Sequence, residues 1–366
     1  MSANLGKNSW RSTSATPIRV ASLRFPTTPW PAPAPILTLQ RHNSFGSSPV
    51  EVMTSPGRRV NKGKKSRPRQ LVEYAGVYLA MLVVRLMPFR IGQAFCRLAG
   101  DVFFRLSSRR RNLALENLRM AFGSEKSPAE IRSIARRSVH SFFMTCFEMI
   151  WLTRQGPAER LQACMDEFEV GRQRIRALYE KAGGIIFVTP HLGNWEIFLR
   201  LAQLAHVPLV IVARPLDNPL LEKLVTRSRT ATGQRIIYKK NAMFAMEEAL
   251  RQGRCVGILA DQSSRGIPAR FFGRPAHTTV IPAILAYKYN RPIVVVACVR
   301  KERPLEYRGS MSDPLWPDLA ANEGSELQRL TEAMNGWMET FILSQPDQWL
   351  WMHNRWKQVG RPLQIP

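Results

Sequence analysis

Four short, unbroken apolar runs set between stretches with helical spacing predict an α/β fold, with a central, mostly parallel or mixed sheet flanked by helices. The runs are GGIIFVTP (Gly183 to Pro190), VPLVIVA (Val207 to Ala213), CVGILAD (Cys255 to Asp261) and PIVVVACV (Pro292 to Val299). Each is continuous rather than alternating in polarity, as strands buried on both faces are. Helices are expected between them at Glu196 to Leu204, Pro219 to Thr230, Met243 to Arg251 and Ile281 to Tyr289, with a further β-like run at Arg235 to Tyr238. A chain of 366 residues, 45% hydrophobic and 22% charged, suits one large domain with an appendage. Those values exclude a fully disordered, collagen-like or polytopic membrane chain.

The appendage comes first. Residues 1–70 hold 12 Lys or Arg against the single acid Glu51 and are rich in Ser, Pro and Thr, so a disordered basic tail is expected there, with the folded domain over 71–366. Residues 1–50 have the acid-free composition of a targeting segment; Met53 as an alternative start is the other reading. A basic run from Arg58 to Arg69 leads into LVEYAGVYLAMLVVRL, Leu71 to Leu86, expected as a helix to about residue 88. Only Tyr74 to Val84 is free of charge there, short of the roughly 20 apolar residues of a spanning helix. Basic residues ahead of a true span would also export everything after it. A helix lying on the membrane, anchored by apolar contact and the basic run, fits both facts; a buried core helix is the other reading. Two amphipathic helices follow, Asn112 to Phe122 and, after the start signal Ser127-Pro128-Ala-Glu130, Ile131 to Trp151.

The charge balance is the unusual feature of the composition: 53 Lys plus Arg against 27 Asp plus Glu gives +26. The tail carries +11 of it, leaving +15 on residues 71–366. An acidic partner is implied: a phospholipid surface, a phosphorylated substrate or an acidic carrier protein. Nucleic acid is not expected, because no aromatic-interleaved or helix-turn-helix pattern accompanies the basic run. Five scattered cysteines, Cys96, Cys146, Cys164, Cys255 and Cys298, form no C-x-x-C pair. They argue against a disulfide framework and a structural zinc site, and for a reducing, cytosol-facing location.

The sharpest local feature is Thr189-Pro190-His191-Leu192-Gly193-Asn194-Trp195-Glu196, where a strand ends and a helix begins. On one straight helix His191 and Glu196 would point about 140° apart. Gly193-Asn194 supplies the turn across which they can converge. A histidine with a nearby carboxylate is the minimal apparatus for general-base catalysis, and no Ser or Cys stands in a nucleophile-elbow context. Direct attack by a substrate hydroxyl is therefore expected, without an acyl-enzyme. The bland alternative is that a single His-x-x-x-x-Glu arises by chance. A second strand end carries Asp261-Gln262, followed by Gly266 and the block Ala269 to Thr279, ARFFGRPAHTT.

With the Asn117 to Phe122 helix, the His191 to Glu196 motif, the Asp261-Gln262 to FFG-x-P-A-x-T-T block and the terminal QWLWMHNRWK (Gln348 to Lys357) in this order, the chain resembles the lipid A biosynthesis acyltransferases, the late acyltransferases, within a wider glycerolipid acyltransferase-like group. The resemblance covers roughly residues 71–357. It implies transfer of a fatty acyl chain from an acyl carrier protein thioester to a hydroxyl of a phosphorylated glucosamine disaccharide, at the cytoplasmic face of the inner membrane, without metal or bound cofactor. It gives His191 as base and Glu196 as its partner, with Arg229, Asp261 and Asn194 binding substrate or stabilising the oxyanion or phosphate. Read as residues, Arg229 is also a plausible solvated helix end, and Asp261 either orients Arg229 or nearby backbone or caps a turn. Other acceptors, a phosphatidylinositol mannoside or a lysophospholipid, keep the same chemistry. A hydrolase using the dyad on water and a non-catalytic basic membrane-binding protein are the remaining readings. Departures from the family pattern are the long tail, Ser263-Ser264-Arg265-Gly266 after Asp261-Gln262, and His277 where a small residue is usual. His277 is expected as a packed or surface residue rather than a second base. Trp349, Trp351 and Trp356 with Arg355 and Lys357 suit a membrane interface or a site rim, or else core-edge packing.

Overall fold

The computed structural model describes residues 66–152, 165–166, 168–213, 216–230, 234–238 and 242–357. The tail up to residue 65, with the targeting-like stretch and Met53, lies outside them. Helix α1 (Arg67–Leu86) starts ahead of the expected Leu71 and takes in the last two arginines of the basic run. Pro68 sits in its first turn, where a missing N–H is no loss. α2 (Phe89–Leu106), α3 (Ser108–Phe122) and α4 (Pro128–Trp151) complete an N-terminal helical layer. The signal before α4 is a full capping box: Ser127 Oγ accepts the Glu130 N–H, and the Glu130 carboxylate accepts the Ser127 N–H at 2.8 Å.

α2 packs closely on α4 because glycines face it. A Cβ at Gly92 would lie 2.1 Å from the Phe147 ring and one at Gly100 2.6 Å from His140. Its opposite face, Ile91, Phe95, Leu98, Val102 and Leu106, follows the i, i+4, i+7 spacing and is exposed. α1 buries none of its residues, so it is not a core helix of this chain, and Leu71, Val72, Tyr78, Leu79, Leu82 and Val83 are open to solvent. Among the described residues no helix is long and apolar enough to cross a membrane.

Beyond the helical layer the chain runs β1 (Met165–Asp166), α5 (Phe168–Ala182), β2 (Ile186–Thr189), a 3₁₀ turn (Trp195–Ile197), α6 (Phe198–Leu204), β3 (Leu209–Ala213), α7 (Pro219–Thr230), β4 (Arg235–Tyr238), α8 (Ala242–Arg251) and β5 (Cys255–Leu259). A hairpin of β6 (Ile267–Phe271) and β7 (Arg274–Thr278), α9 (Ile281–Tyr289), β8 (Ile293–Arg300), β9 (Tyr307–Met311) and α10 (Glu323–Ser344) follow. The main sheet has the order β1-β9-β8-β2-β5-β3-β4. Its pairs are parallel except β8 with β9, the mixed, mostly parallel sheet that the continuous apolar runs predict. β2 lies between β5 and β8, so the carboxyl ends of these three neighbours open at one edge.

The C-terminal tryptophans belong to the core. Trp349, Trp351, Trp356 and Arg355 are all buried, which replaces the membrane-interface reading with packing. Their rings pack against one another and against Phe122, Phe271 and Phe272, contributed by α3 and the hairpin. Asn117 ties this segment down by donating from Nδ2 to Trp351 O at 2.8 Å and His353 O at 2.6 Å. The Arg355 guanidinium lies 4.6 Å over the Phe271 ring and donates to His277 O at 2.7 Å and Thr278 Oγ1 at 2.6 Å. His277 is accordingly a packed histidine, buried with Nδ1 3.3 Å from Gly266 O.

Candidate active site

His191 leaves the end of β2 and Asp261 the end of β5, on adjacent parallel strands, which places the two residues side by side despite 70 positions of sequence between them. Asp261 Oδ1 is 2.7 Å from His191 Nδ1, and Oδ2 accepts the His191 backbone N–H at 2.7 Å and the Trp349 indole N–H at 2.8 Å. Asp261 is buried, yet these donors and the facing imidazole outweigh desolvation and hold its carboxyl below the usual range. An ionised carboxylate only accepts, so the ring proton sits on Nδ1 and Nε2 is the basic nitrogen. Burial opposes the imidazolium, but the charge and hydrogen bond of Asp261, with Glu196 adding charge, lift the His191 pKa above 6.5. Nε2 has Gln262 Nε2 at 3.4 Å, and the ring meets Trp195 edge-on at 5.0 Å. Among the described residues no hydroxyl or thiol is bonded to the ring, whose side-chain partners are Asp261 and Gln262.

The turn after His191 is fixed by its backbone. Gly193 has φ +60°, and a Cβ there would fall 2.0 Å from Cys298 O, so only glycine fits. Its N–H donates to Gln348 O at 3.1 Å, and the Asn194 N–H donates to Cys298 O at 2.8 Å. Leu192 pairs with Trp349 in an isolated bridge. The 3₁₀ turn Trp195–Ile197 follows and carries Glu196. The sequence pairs Glu196 with the base; in the structure Asp261 takes Nδ1, and Glu196 acts on the ring through charge.

Asn194 is fully buried, and its amide donates to Glu148 Oε2 at 2.7 Å. Arg229 falls near the end of α7, and its side chain lies outside the described residues. His353 was not singled out from sequence; it accepts the Ser263 N–H at 3.3 Å, and burial lowers its pKa, so it bonds the loop after Asp261 as a neutral ring. Trp349 also reaches the dyad through its indole N–H, and Gln262 through its side-chain amide. The signal for Trp349 was the tryptophan-rich terminus itself, since a buried indole N–H needs an acceptor. Among the described residues no group of three His, Cys, Asp or Glu gathers as a metal site requires.

An α/β fold with a His–Asp pair at the carboxyl ends of neighbouring strands has its polar site where such folds bind ligands, and among the described residues no hydroxyl or thiol is bonded to the histidine. The sequence then supplies the family. Residues 61–358 match the bacterial lipid A biosynthesis acyltransferase family, and the chain belongs to it. The chain is 28% identical over 310 residues to a lipid A biosynthesis lauroyltransferase of Escherichia coli K12, covering 82% of this chain and 95% of the relative. It is 25% identical over 296 residues to a lipid A biosynthesis palmitoleoyltransferase of the same organism, covering 79% and 92%. A phosphatidylinositol mannoside acyltransferase of Mycobacterium tuberculosis is 22% identical over 203 residues, covering 54% of this chain and 62% of that protein. The protein is an acyltransferase of lipid A biosynthesis.

Proposed function

We propose that the enzyme moves a fatty acyl chain from an acyl carrier protein thioester to a hydroxyl of a lipid A precursor, with His191 as general base. His191 Nε2 takes the hydroxyl proton as the oxygen attacks the thioester carbonyl. The tetrahedral intermediate collapses to the ester, the carrier thiolate leaves, and the imidazolium returns the proton to it. Asp261 holds the tautomer and stabilises the imidazolium; Glu196 adds negative charge near the ring, and Arg229 binds phosphate or the oxyanion. The observation that carries this reading is the 2.7 Å Nδ1 contact to a buried carboxylate, which leaves Nε2 as the base, with no hydroxyl or thiol on the ring among the described residues.

The enzyme works at the cytoplasmic face of the inner membrane, seated by its N-terminal helices. The exposed apolar faces of α1 and α2 support this, set among the exposed arginines Arg67, Arg69, Arg85, Arg90, Arg97 and Arg105. Purified enzyme is incubated with an acyl carrier thioester and, separately, a lipid A precursor, a lysophospholipid and a phosphatidylinositol mannoside, beside His191→Ala. A mass gain of one acyl chain on the lipid A precursor, absent with the variant, is expected. Gain on another acceptor alone would move the substrate, and free fatty acid without acceptor would make the protein a hydrolase.

A further inference from the structure

Behind the His191 turn lies an ion pair of buried Glu148 and half-buried Arg300 for which the reaction itself has no use. Glu148, on α4, is buried and accepts through Oε2 from Asn194 Nδ2 at 2.7 Å and from Arg300 Nε at 2.8 Å, with Arg300 Nη2 2.7 Å away in the same ion pair. Arg300 ends β8 and also donates to Ser141 Oγ at 3.1 Å and Thr145 Oγ1 at 2.6 Å. Thr145 in turn donates to Gly193 O at 2.7 Å. The backbone of Arg300 is clasped by the Gln348 side chain, whose Oε1 accepts its N–H and whose Nε2 donates to its O, both at 2.9 Å. Gln348 O is the acceptor for the Gly193 N–H. Ser141, Thr145 and Glu148 share one face of α4, so a single helix meets the turn at both Gly193 O and the Asn194 side chain.

Charged groups are costly to bury, and they stay buried only with full hydrogen bonding. Here the bonding is spent on one object: the carbonyl of Gly193 and the side chain of Asn194, two and three residues after the base. We infer that Glu148 and Arg300 are positioning residues, which aim His191 at the acceptor hydroxyl by clamping the Gly193-Asn194 turn; this rests on His191 as the base. Asn194 then acts inward through Glu148 rather than on substrate. A base displaced by about 1 Å loses on the order of 100-fold in rate while the binding surfaces stay in place.

The experiment measures kcat, KM and the acid limb of the pH profile for Glu148→Gln, Thr145→Val and the polarity swap Glu148→Gln with Asn194→Asp, beside His191→Ala and with thermal melting as the folding control. Glu148→Gln is expected to lower kcat by ten- to a hundredfold with KM for both substrates within about twofold and the acid limb unmoved. The swap, which returns a carboxylate to the contact with the side-chain amide at 148 as its donor, should recover most of that loss. Should Glu148→Gln fail to fold, Thr145→Val, which removes the hydroxyl between Arg300 and Gly193, decides through a kcat fall of about tenfold. Unchanged kcat in the folded variant beside an inactive His191→Ala overturns the positioning role alone, whereas full activity of His191→Ala overturns the base and the positioning role together.

Discussion

The strand-end site and the N-terminal helical layer use the same residue types in opposite ways. At the site polar groups are bonded to one another: Asp261 to His191 and Trp349, Glu148 to Asn194 and Arg300, Gly193 to Gln348 and Thr145. α1 and the outer face of α2 turn apolar side chains to solvent, and arginines stand among them. One region holds His191 and the turn after it by hydrogen bonds to buried partners; the other leaves apolar surface uncovered. Under the proposed function the difference separates chemistry from membrane seating, and α4 touches both regions, since Phe147 packs on α2 at Gly92 while Glu148 bonds the Asn194 side chain.

That separation can be broken from either side. The largest effect is expected at the dyad: Asp261→Asn should cut kcat by about 10²- to 10⁴-fold, the span of a general base that loses its tautomer and charge partner. Binding to anionic vesicles should be unchanged in the same variant, as sedimentation with phosphatidylglycerol liposomes will read. The mirror experiment is Phe95→Glu with Leu98→Glu on α2. Losing two apolar contacts of about 1.5 kcal/mol each should weaken vesicle binding roughly 100-fold, while kcat on detergent-dispersed acceptor stays within about twofold. Equal loss of kcat in dispersed substrate would mean that the helical layer is part of the catalytic machinery.

A smaller change sharpens the site itself. Trp349→Phe keeps the ring and removes the N–H on Asp261 Oδ2, a hydrogen bond to a charged group worth about 1.5–3 kcal/mol. About a tenfold fall in kcat is expected, with the melting temperature a few degrees lower. The smallest effect is on encounter: raising salt from 0.05 to about 0.5 M should lower kcat/KM for the acidic carrier severalfold and leave kcat alone, because screening acts on steering rather than chemistry.

Much of this could be read from the residues. β2, β3 and β5 fall inside the continuous apolar runs, β8 runs one residue past its own to Arg300, and α7 and α9 match their expected bounds. What escaped was the hairpin β6–β7, whose turn is Phe272-Gly273 with φ of +50° and +68° rather than an Asn-Gly signal, and the helices α2, α5 and α10. At the site, the turn after His191 was legible because Gly193 and Asn194 are local. Its carboxylate partner was not legible from spacing: Glu196 is near in sequence, but Asp261 arrives through the pairing of β2 with β5, and strand order is not written in any one segment. The Glu148–Arg300 pair was hidden for the same reason, although a lone carboxylate in the apolar run Met144 to Trp151 was its visible trace. For the tryptophans composition leaves a membrane interface, a site rim and core packing all open, because it shows amphipathic rings without showing that Asp261 and Pro346 O already take two of their N–H groups.

The central claim is that His191 is a base whose affinity for its proton is set by Asp261, and the pH dependence of kcat/KM reads it most directly. A base acts as the neutral ring, and the His191 pKa is raised, so if His191 is the base wild-type activity should fall with decreasing pH through a value above 6.5. In Asp261→Asn the carboxylate that favours the imidazolium is gone, and the residual activity should show its acid limb at lower pH. An acid limb at the same pH in both proteins would contradict the pairing.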